Sequence, residues 1–174
     1  MGDVWTNIIG TVLIMAGSVG MGFYLSAKEG FRVRDLSEFK KALLILSSEI
    51  DFMRSTLTEA CQNIAKRTDG GVRDIFENFS HKLAEGEGET AYQLWLTVMA
   101  SARVFLAAED RIVLEDFGKT LGYLDKEMQK NAIEYAVSYI DEKTASLQKA
   151  AEKNKRMYHS LGIAGGLLAT VVLW

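Results

Sequence analysis

The sequence predicts an all-α protein: a six-helix antiparallel cytoplasmic bundle flanked by N- and C-terminal transmembrane helices. Three observations predict it. The 174 residues contain no proline, where average usage gives roughly eight or nine; proline is least tolerated inside helices, so its absence favours long, uninterrupted ones. Apolar residues recur in steps of three and four, and no Asn-Gly turn or alternating β-branched run breaks the middle of the chain. Charge is segregated: all 20 Lys/Arg and 22 of the 23 Asp/Glu lie between Lys28 and His159, which leaves 4–27 and 157–174 uncharged.

The first uncharged run, 4–27, has 24 residues. At about 1.5 Å per residue it covers a hydrocarbon core of about 30 Å. A signal peptide would start basic, whereas only Asp3 precedes this run. The basic residues Lys28, Arg32, Arg34, Lys40 and Lys41 follow it instead, and the positive-inside rule then places the N-terminus outside and the body, 28–156, in the cytoplasm.

Within the body, Leu36, Phe39, Leu43, Leu46, Ile50, Met53 and Leu57 form one helical stripe. Thr56 and Glu59 match a capping box that starts a second helix, carrying Leu57, Ala60, Cys61 and Ile64 on one side. Gly70 or Gly71 can take the left-handed cap that ends it. A third helix presents Val72, Ile75, Phe76, Phe79 and Leu83 and stops in "EGEGET". Thr90 caps a fourth, with Tyr92, Trp95, Val98, Met99 and Ala102. A fifth starts near Glu109 or Asp110, buries Val113, Leu114, Phe117 and Leu121, and ends near Gly122. Asp125 caps the sixth, which runs through Met128, Ala132, Tyr135, Tyr139 and Leu147 with no strong stop before Gly162.

The second uncharged run, 157–174, has 18 residues, about 27 Å as a helix, and barely spans. Lys149, Lys153, Lys155 and Arg156 precede it, again on the cytoplasmic side; a core or interfacial helix is the alternative. Small residues at helical spacing, Gly162 with Gly166, Ala16 with Gly20 and Ser18 with Gly22, offer faces for close packing in lipid.

A net charge of −3 argues against nucleic-acid binding, and one cysteine fits a reducing compartment. Residues 42–148 carry 11 basic and 18 acidic residues, while 28–41 carries five basic and three acidic. The body is therefore basic near the lipid and acidic away from it.

The densest carboxylates lie in "AAEDRIVLEDFGKTLGYLDKEMQKN". Glu109 and Asp110 suit the positive end of a helix, Asp125 suits a cap, and Glu115 and Asp116 suit a solvated face. A carboxylate-bridged metal pair wants two Glu-x-x-His motifs, but the histidines are His81, four after Glu77, and His159. Cys61 reads as a small core residue, and no nucleophile elbow, P-loop or dinucleotide fingerprint occurs. The sequence thus shows no catalytic or metal constellation and implies no cofactor. Gly118 and Gly122 each weaken a helix by about 1 kcal/mol relative to alanine; Gly122 can end one, and Gly118 can admit a close neighbour.

"LEDFGKTLGYLDKEMQ", with Leu114, Gly118, Leu121, Gly122, Asp125 and Gln129, resembles the signature of the stage III sporulation protein AB family. "LSSEI" with Glu49 and Ile50, "TLTEA" with Leu57, Glu59 and Ala60, and "RMYHSLGIAGGLL" are similar to other runs of that family. Thr56 stands where the family usually has proline, and Leu124 where a serine often precedes the aspartate. The resemblance implies a role in endospore formation, in a mother-cell membrane complex facing the forespore and similar to secretion machines. The chain would be its polytopic platform protein, with both termini outside. Its partners would be the other membrane subunits of the complex and a cytoplasmic ATPase, with the lipid bilayer around it and self-association possible. Glu109, Glu115 and Asp116 are the candidate partner surface. A membrane-tethered adaptor or signalling module, and an enzyme with an unfamiliar carboxylate site, stay open beside this reading.

Overall fold

The computed structural model describes residues 28–50, 56–86, 88–122 and 125–172, with side chains as far as residue 153. All regular structure among these residues is helical, in six helices: α1 (28–50), α2 (Leu57–Ala65), α3 (Gly70–Glu85), α4 (Ala91–Ser101), α5 (Ala108–Gly118) and α6 (Lys126–Val172). Each of α2 to α5 packs on its successor.

The helix starts follow from local chemistry. Thr56 Oγ1 accepts from the Glu59 N–H while the Glu59 carboxylate accepts from the Thr56 N–H, which satisfies two otherwise orphaned donors. Thr90 and Gln93 repeat the arrangement at α4. Asp125 Oδ1 accepts from the backbone N–H groups of Glu127 and Met128 and opens α6. The left-handed glycine cap expected for α2 is a correction: α2 ends at Lys66 in right-handed conformation, its N–H donating to the Gln62 and Ile64 carbonyls, and Gly70, at φ +62°, instead opens α3. Gly86, at φ +65°, closes α3.

The stripe on α1 enters the core as expected: Leu36, Phe39, Leu43 and Leu46 are buried, with Ala42 beside them, whereas Met53 lies outside the described residues. Ala60, Cys61 and Ile64 of α2, Val72, Ile75, Phe76 and Phe79 of α3, Leu94, Trp95, Val98 and Met99 of α4, and Leu114 and Phe117 of α5 complete the core. Trp95 is its centre, with ring centroids of Phe76, Phe79 and Phe117 at 5.5, 5.3 and 5.8 Å. The last two meet it edge-on, the arrangement that aromatic quadrupoles favour.

The face of α6 is a correction. Ile133, Ala136 and Ile140 are buried, while Tyr135 and Met128 are exposed. Of the expected residues, Ala132, Tyr139 and Leu147 are half-buried and pack against the core, so the seam is centred about one residue, or 100°, around the helix from Met128 and Tyr135. Both stripes have three–four spacing, so periodicity could not choose between them. The helix α5 also stops earlier than expected, at Gly118, and a turn fills 119–122.

The expected transmembrane flanks are not found among the described residues, where no helix is long and apolar enough to cross a membrane. Residues 4–27 lie outside the described part. Helix α6 does continue without a break to Val172, but it is charged as far as Arg156. Its uncharged portion, 157–172, rises only about 24 Å, short of a core of about 30 Å.

Gly118 is the tightest point of the interior: a Cβ there would stand 2.1 Å from Trp95 Cδ1. Gly118→Ala is expected to destabilise the bundle by about 1–3 kcal/mol through overpacking, whereas Gly30→Ala on α1, with nothing within 4 Å, should be neutral or stabilising. Urea unfolding midpoints of the two variants check this.

Candidate functional site

Two clusters of polar and small residues organise the bundle, one at each end of α5. The first surrounds Asp110, which is fully buried although it sits in the first turn of a helix. An ionised carboxylate offers about four acceptor positions, and all four are used. Oδ2 accepts from Arg32 Nε at 2.7 Å and from the Ala107 backbone N–H at 2.8 Å. Oδ1 accepts from Arg32 Nη2 at 2.8 Å and from the Tyr139 hydroxyl at 2.9 Å. The forked pair with Arg32 is the geometry that guanidinium and carboxylate share.

Glu109 extends the cluster outward. Its Oε1 accepts from Arg32 Nη2 at 2.9 Å and meets Lys143 Nζ at 2.7 Å. Lys143 lies one turn beyond Tyr139 on α6, its ammonium 5.9 Å from the tyrosine ring centroid. Helices α1, α5 and α6 are thus joined by one network, and Lys40–Asp141, at 2.5 Å, ties α1 to α6 a second time.

The electrostatics follow. Burial opposes ionisation of Asp110, but the Arg32 guanidinium, the Ala107 N–H and the Tyr139 hydroxyl together outweigh it and hold the carboxyl below its ordinary value. The Arg32 guanidinium, bonded to Asp110, is held more firmly protonated than usual. Burial and the neighbouring Asp110 charge push the Tyr139 hydroxyl up, and Lys143 with Arg32 pulls Glu109 down. Burial also pushes the Cys61 thiol up to about 12, which keeps it an unreactive core thiol.

The second cluster is the helical corner. Trp95 Nε1 donates to the backbone carbonyl of Leu114 at 2.9 Å. Leu114 and Gly118 lie one above the other on α5, and the missing side chain at Gly118 lets the indole reach that carbonyl. Leu121 is buried, Gly122 takes φ +85°, Asp125 caps α6, and Gln129 Nε2 donates to the Thr120 carbonyl at 3.2 Å. Tyr139 meeting Asp110 at one end and Gln129 meeting Thr120 at the other make α5 and α6 antiparallel.

The structure therefore gathers Leu114, Gly118, Leu121, Gly122, Asp125 and Gln129 into one corner. It divides the expected acidic surface: Glu109 faces Arg32 and Lys143, Asp116 is exposed and pairs with Lys119 at 2.6 Å, and Glu115 is half-buried. Asp110 stands in the first turn of α5, the helix start the sequence assigns it; its burial and its partners Arg32 and Tyr139, with Lys143 beyond them, are what the sequence does not reveal. The only available signal was an acidic residue followed at helical distance by apolar ones, which any helix start shares. Glu49 is likewise buried and accepts from Asn63 Nδ2 at 3.2 Å. The pairs Ala16–Gly20, Ser18–Gly22 and Gly162–Gly166 lie where no side chains are described. Among the described residues no group of three or more His, Cys, Asp or Glu stands close enough to share a metal ion.

An all-α bundle held by a buried ion network and a glycine-dependent corner defines a helical structural module. The sequence pattern described as Stage III sporulation protein AB (spore_III_AB) matches residues 7–174. A curated relative, "Stage III sporulation protein AB" of Bacillus subtilis (strain 168), is 30% identical over 169 residues, covering 96% of this chain and 98% of the relative. A solved structure, "Stage III sporulation protein AB (SpoIIIAB)", superposes with a TM-score of 0.61 at 28% identity, over 70% of this chain and 97% of the other. The chain belongs to the stage III sporulation protein AB family, and its role is in sporulation.

The Asp110 cluster sets a stability window. Its depressed carboxyl contributes fully above the unfolded value, about pH 4, and the contribution is lost as pH falls through the lower folded value. Tyr139, raised in the fold, contributes fully below about pH 10 and loses it as pH climbs through its folded value. Asp110→Asn is expected to lower stability by about 3 kcal/mol at neutral pH and to flatten the acid limb. Tyr139→Phe should lower it by about 1–2 kcal/mol and flatten the alkaline limb. Denaturant unfolding from about pH 2 to about pH 11, a span that brackets both ordinary values, reads both.

Proposed function

We propose that the chain is a non-enzymatic membrane platform, a scaffold subunit of a secretion-like transenvelope channel needed for endospore formation. Its bundle lies in the mother-cell cytoplasm and contacts the assembly ATPase of the complex, while other membrane subunits pack on its apolar ends. One observation carries this reading. The charged side chains of the Asp110 cluster are bonded to one another, and the elements they fasten are α1 and α6. Those two helices lead to the two uncharged runs, 4–27 and 157–174. A part that works by being held in place needs its mounting points fixed to each other.

The run 4–27 is the principal anchor, and the basic residues after it orient it. The small-residue pairs there and at Gly162–Gly166 provide faces for neighbouring helices. The acidic surface for the ATPase narrows to Glu115 and Asp116, since Glu109 is held by two largely covered cations from α1 and α6, whereas the Lys119 paired with Asp116 is an exposed neighbour.

Charge reversal at Glu115 and Asp116 is expected to abolish copurification of the ATPase with the full chain from detergent-extracted membranes, with the unfolding midpoint unchanged; undiminished recovery of the ATPase rules out this surface. In spheroplasts carrying the full chain, an impermeant thiol reagent should label Gly2→Cys from outside and Lys126→Cys only after lysis. Labelling of position 126 before lysis would overturn the topology.

A further inference from the structure

The connection between α4 and α5, "ARVFLA" (102–107), is an apolar loop that exposes a large aromatic ring. Phe105 is 47% exposed and stacks on Phe31, itself 48% exposed, with ring centroids 5.1 Å apart and planes inclined by 24°. The stack is a built feature. The Phe105 N–H donates to Asp35 Oδ2 at 2.7 Å, which fixes the loop against α1. On the other side the start of α3 comes so close that a Cβ on Gly71 would stand 2.4 Å from the Arg103 carbonyl oxygen. Two apolar rings are thus held rigidly outward on a bundle that has a full core to bury them in.

Their position in the chain identifies what they face. Phe31 is three residues beyond Lys28, the first residue after the uncharged run, so it lies about 4.5 Å along α1 from the start of that helix. This is the depth of the headgroup region, where aromatic rings concentrate. Exposed cations stand around the stack: Lys28, Arg34 and Arg103. Of the acidic groups nearby, Asp35 is bonded to the loop, Asp110 and the exposed Glu109 are bound to Arg32, and Asp74 is paired with Arg73, so that Glu29 on α1 and Asp69 at the start of α3 are the exposed carboxylates with no ion-pair partner at this end among the described residues.

We infer that the Phe31–Phe105 stack and the 102–107 loop dock on the anionic bilayer surface, with Lys28, Arg34 and Arg103 against lipid headgroups, making the loop a membrane contact additional to the two apolar ends. This rests on the anchoring reading above and goes beyond it. Docking would fix the tilt of the bundle, because attachment at the two ends alone leaves the body free to swing about the line joining them, whereas a third contact on another loop does not.

The test uses the full chain reconstituted into vesicles of phosphatidylglycerol and phosphatidylcholine, with an environment-sensitive label at Phe105→Cys or, as the distal control, at Lys126→Cys. Lipids brominated near the headgroup are expected to quench the label at 105 several-fold more than the label at 126. Arg103→Glu introduced into the 105-labelled chain should reduce that quenching. Pure phosphatidylcholine vesicles should weaken it as well. A chain that fails to float with vesicles overturns the anchoring reading and the docking together. A chain that floats but is quenched equally at 105 and 126 overturns the docking alone. Disulfide linkage between two unlabelled copies of the Phe105→Cys chain in the vesicle, through the introduced thiols, would assign the stack to a second copy and overturn it too.

Discussion

The structure depends on one buried carboxylate. Asp110 has no access to solvent, and an isolated charge in that position would be prohibitively unfavourable. It is tolerable only because Arg32 from α1, Tyr139 from α6 and the Ala107 N–H fill its acceptor positions together. The requirement acts as a geometric constraint: α1, α5 and α6 must arrive in one arrangement or the charge is left unpaired. An apolar side chain could fill the space with equal or greater stability, but it would tolerate sliding and rotation, as buried ion pairs do not. The same residue supplies one half of a capping box at α5 by reaching back to the Ala107 N–H, while Ala107 has no side-chain acceptor to supply the other half.

The corner at the other end of α5 uses shape where the first cluster uses charge. Trp95 needs a partner for its indole N–H because it is wholly buried. The Leu114 carbonyl supplies one only because Gly118 lacks a side chain. Gly122 then reverses the chain at positive φ, and Asp125 starts α6. The residues that look most like a family signature are thus accounted for by packing and turning. Helix α5 is clamped at its first turn by ions and at its last by an indole, which leaves its outward face, with Glu115 and Asp116, as a rigid surface.

The helices were legible because their signals are local. The Thr56–Glu59 box, the Thr90 cap and the Asp125 cap act within four residues, and each appears in the structure where the sequence places it. The glycines were legible only as breaks: Gly86 closes α3, but α2 ends at Lys66 ahead of Gly70, and α5 ends at Gly118 ahead of Gly122. The close neighbour that Gly118 implied was legible as a need, but its identity as Trp95 was not. The place of Asp110 at a helix start was legible, and its burial was not, for the same reason. Its partner Arg32 is 78 residues away and Tyr139 is 29 away, and nothing in the spacing of α5 distinguishes a charge entering the core from one leaving it. Tyr135 and Tyr139 show the complementary ambiguity: they sit on one apolar-looking stripe of α6, yet Tyr135 is exposed and Tyr139 turns inward to a carboxylate.

Charge counting suffers from the same blindness, with consequences for how the bundle meets a membrane. The segment 28–41 holds five basic residues, and a count alone assigns all of them to lipid. Arg32 is bound to Asp110 and Glu109, Lys40 to Asp141, and Lys41 lies 3.6 Å from Glu38. Internal pairing therefore absorbs most of the excess, and the cations of this end still directed outward are Lys28 and Arg34, joined by Arg103 from a loop distant in sequence. Each such charge gains only about 1 kcal/mol near an anionic leaflet, so electrostatics can orient this face but not secure it. On the membrane reading proposed above, secure attachment falls to apolar surface, the uncharged run 4–27 and the exposed rings of Phe31 and Phe105.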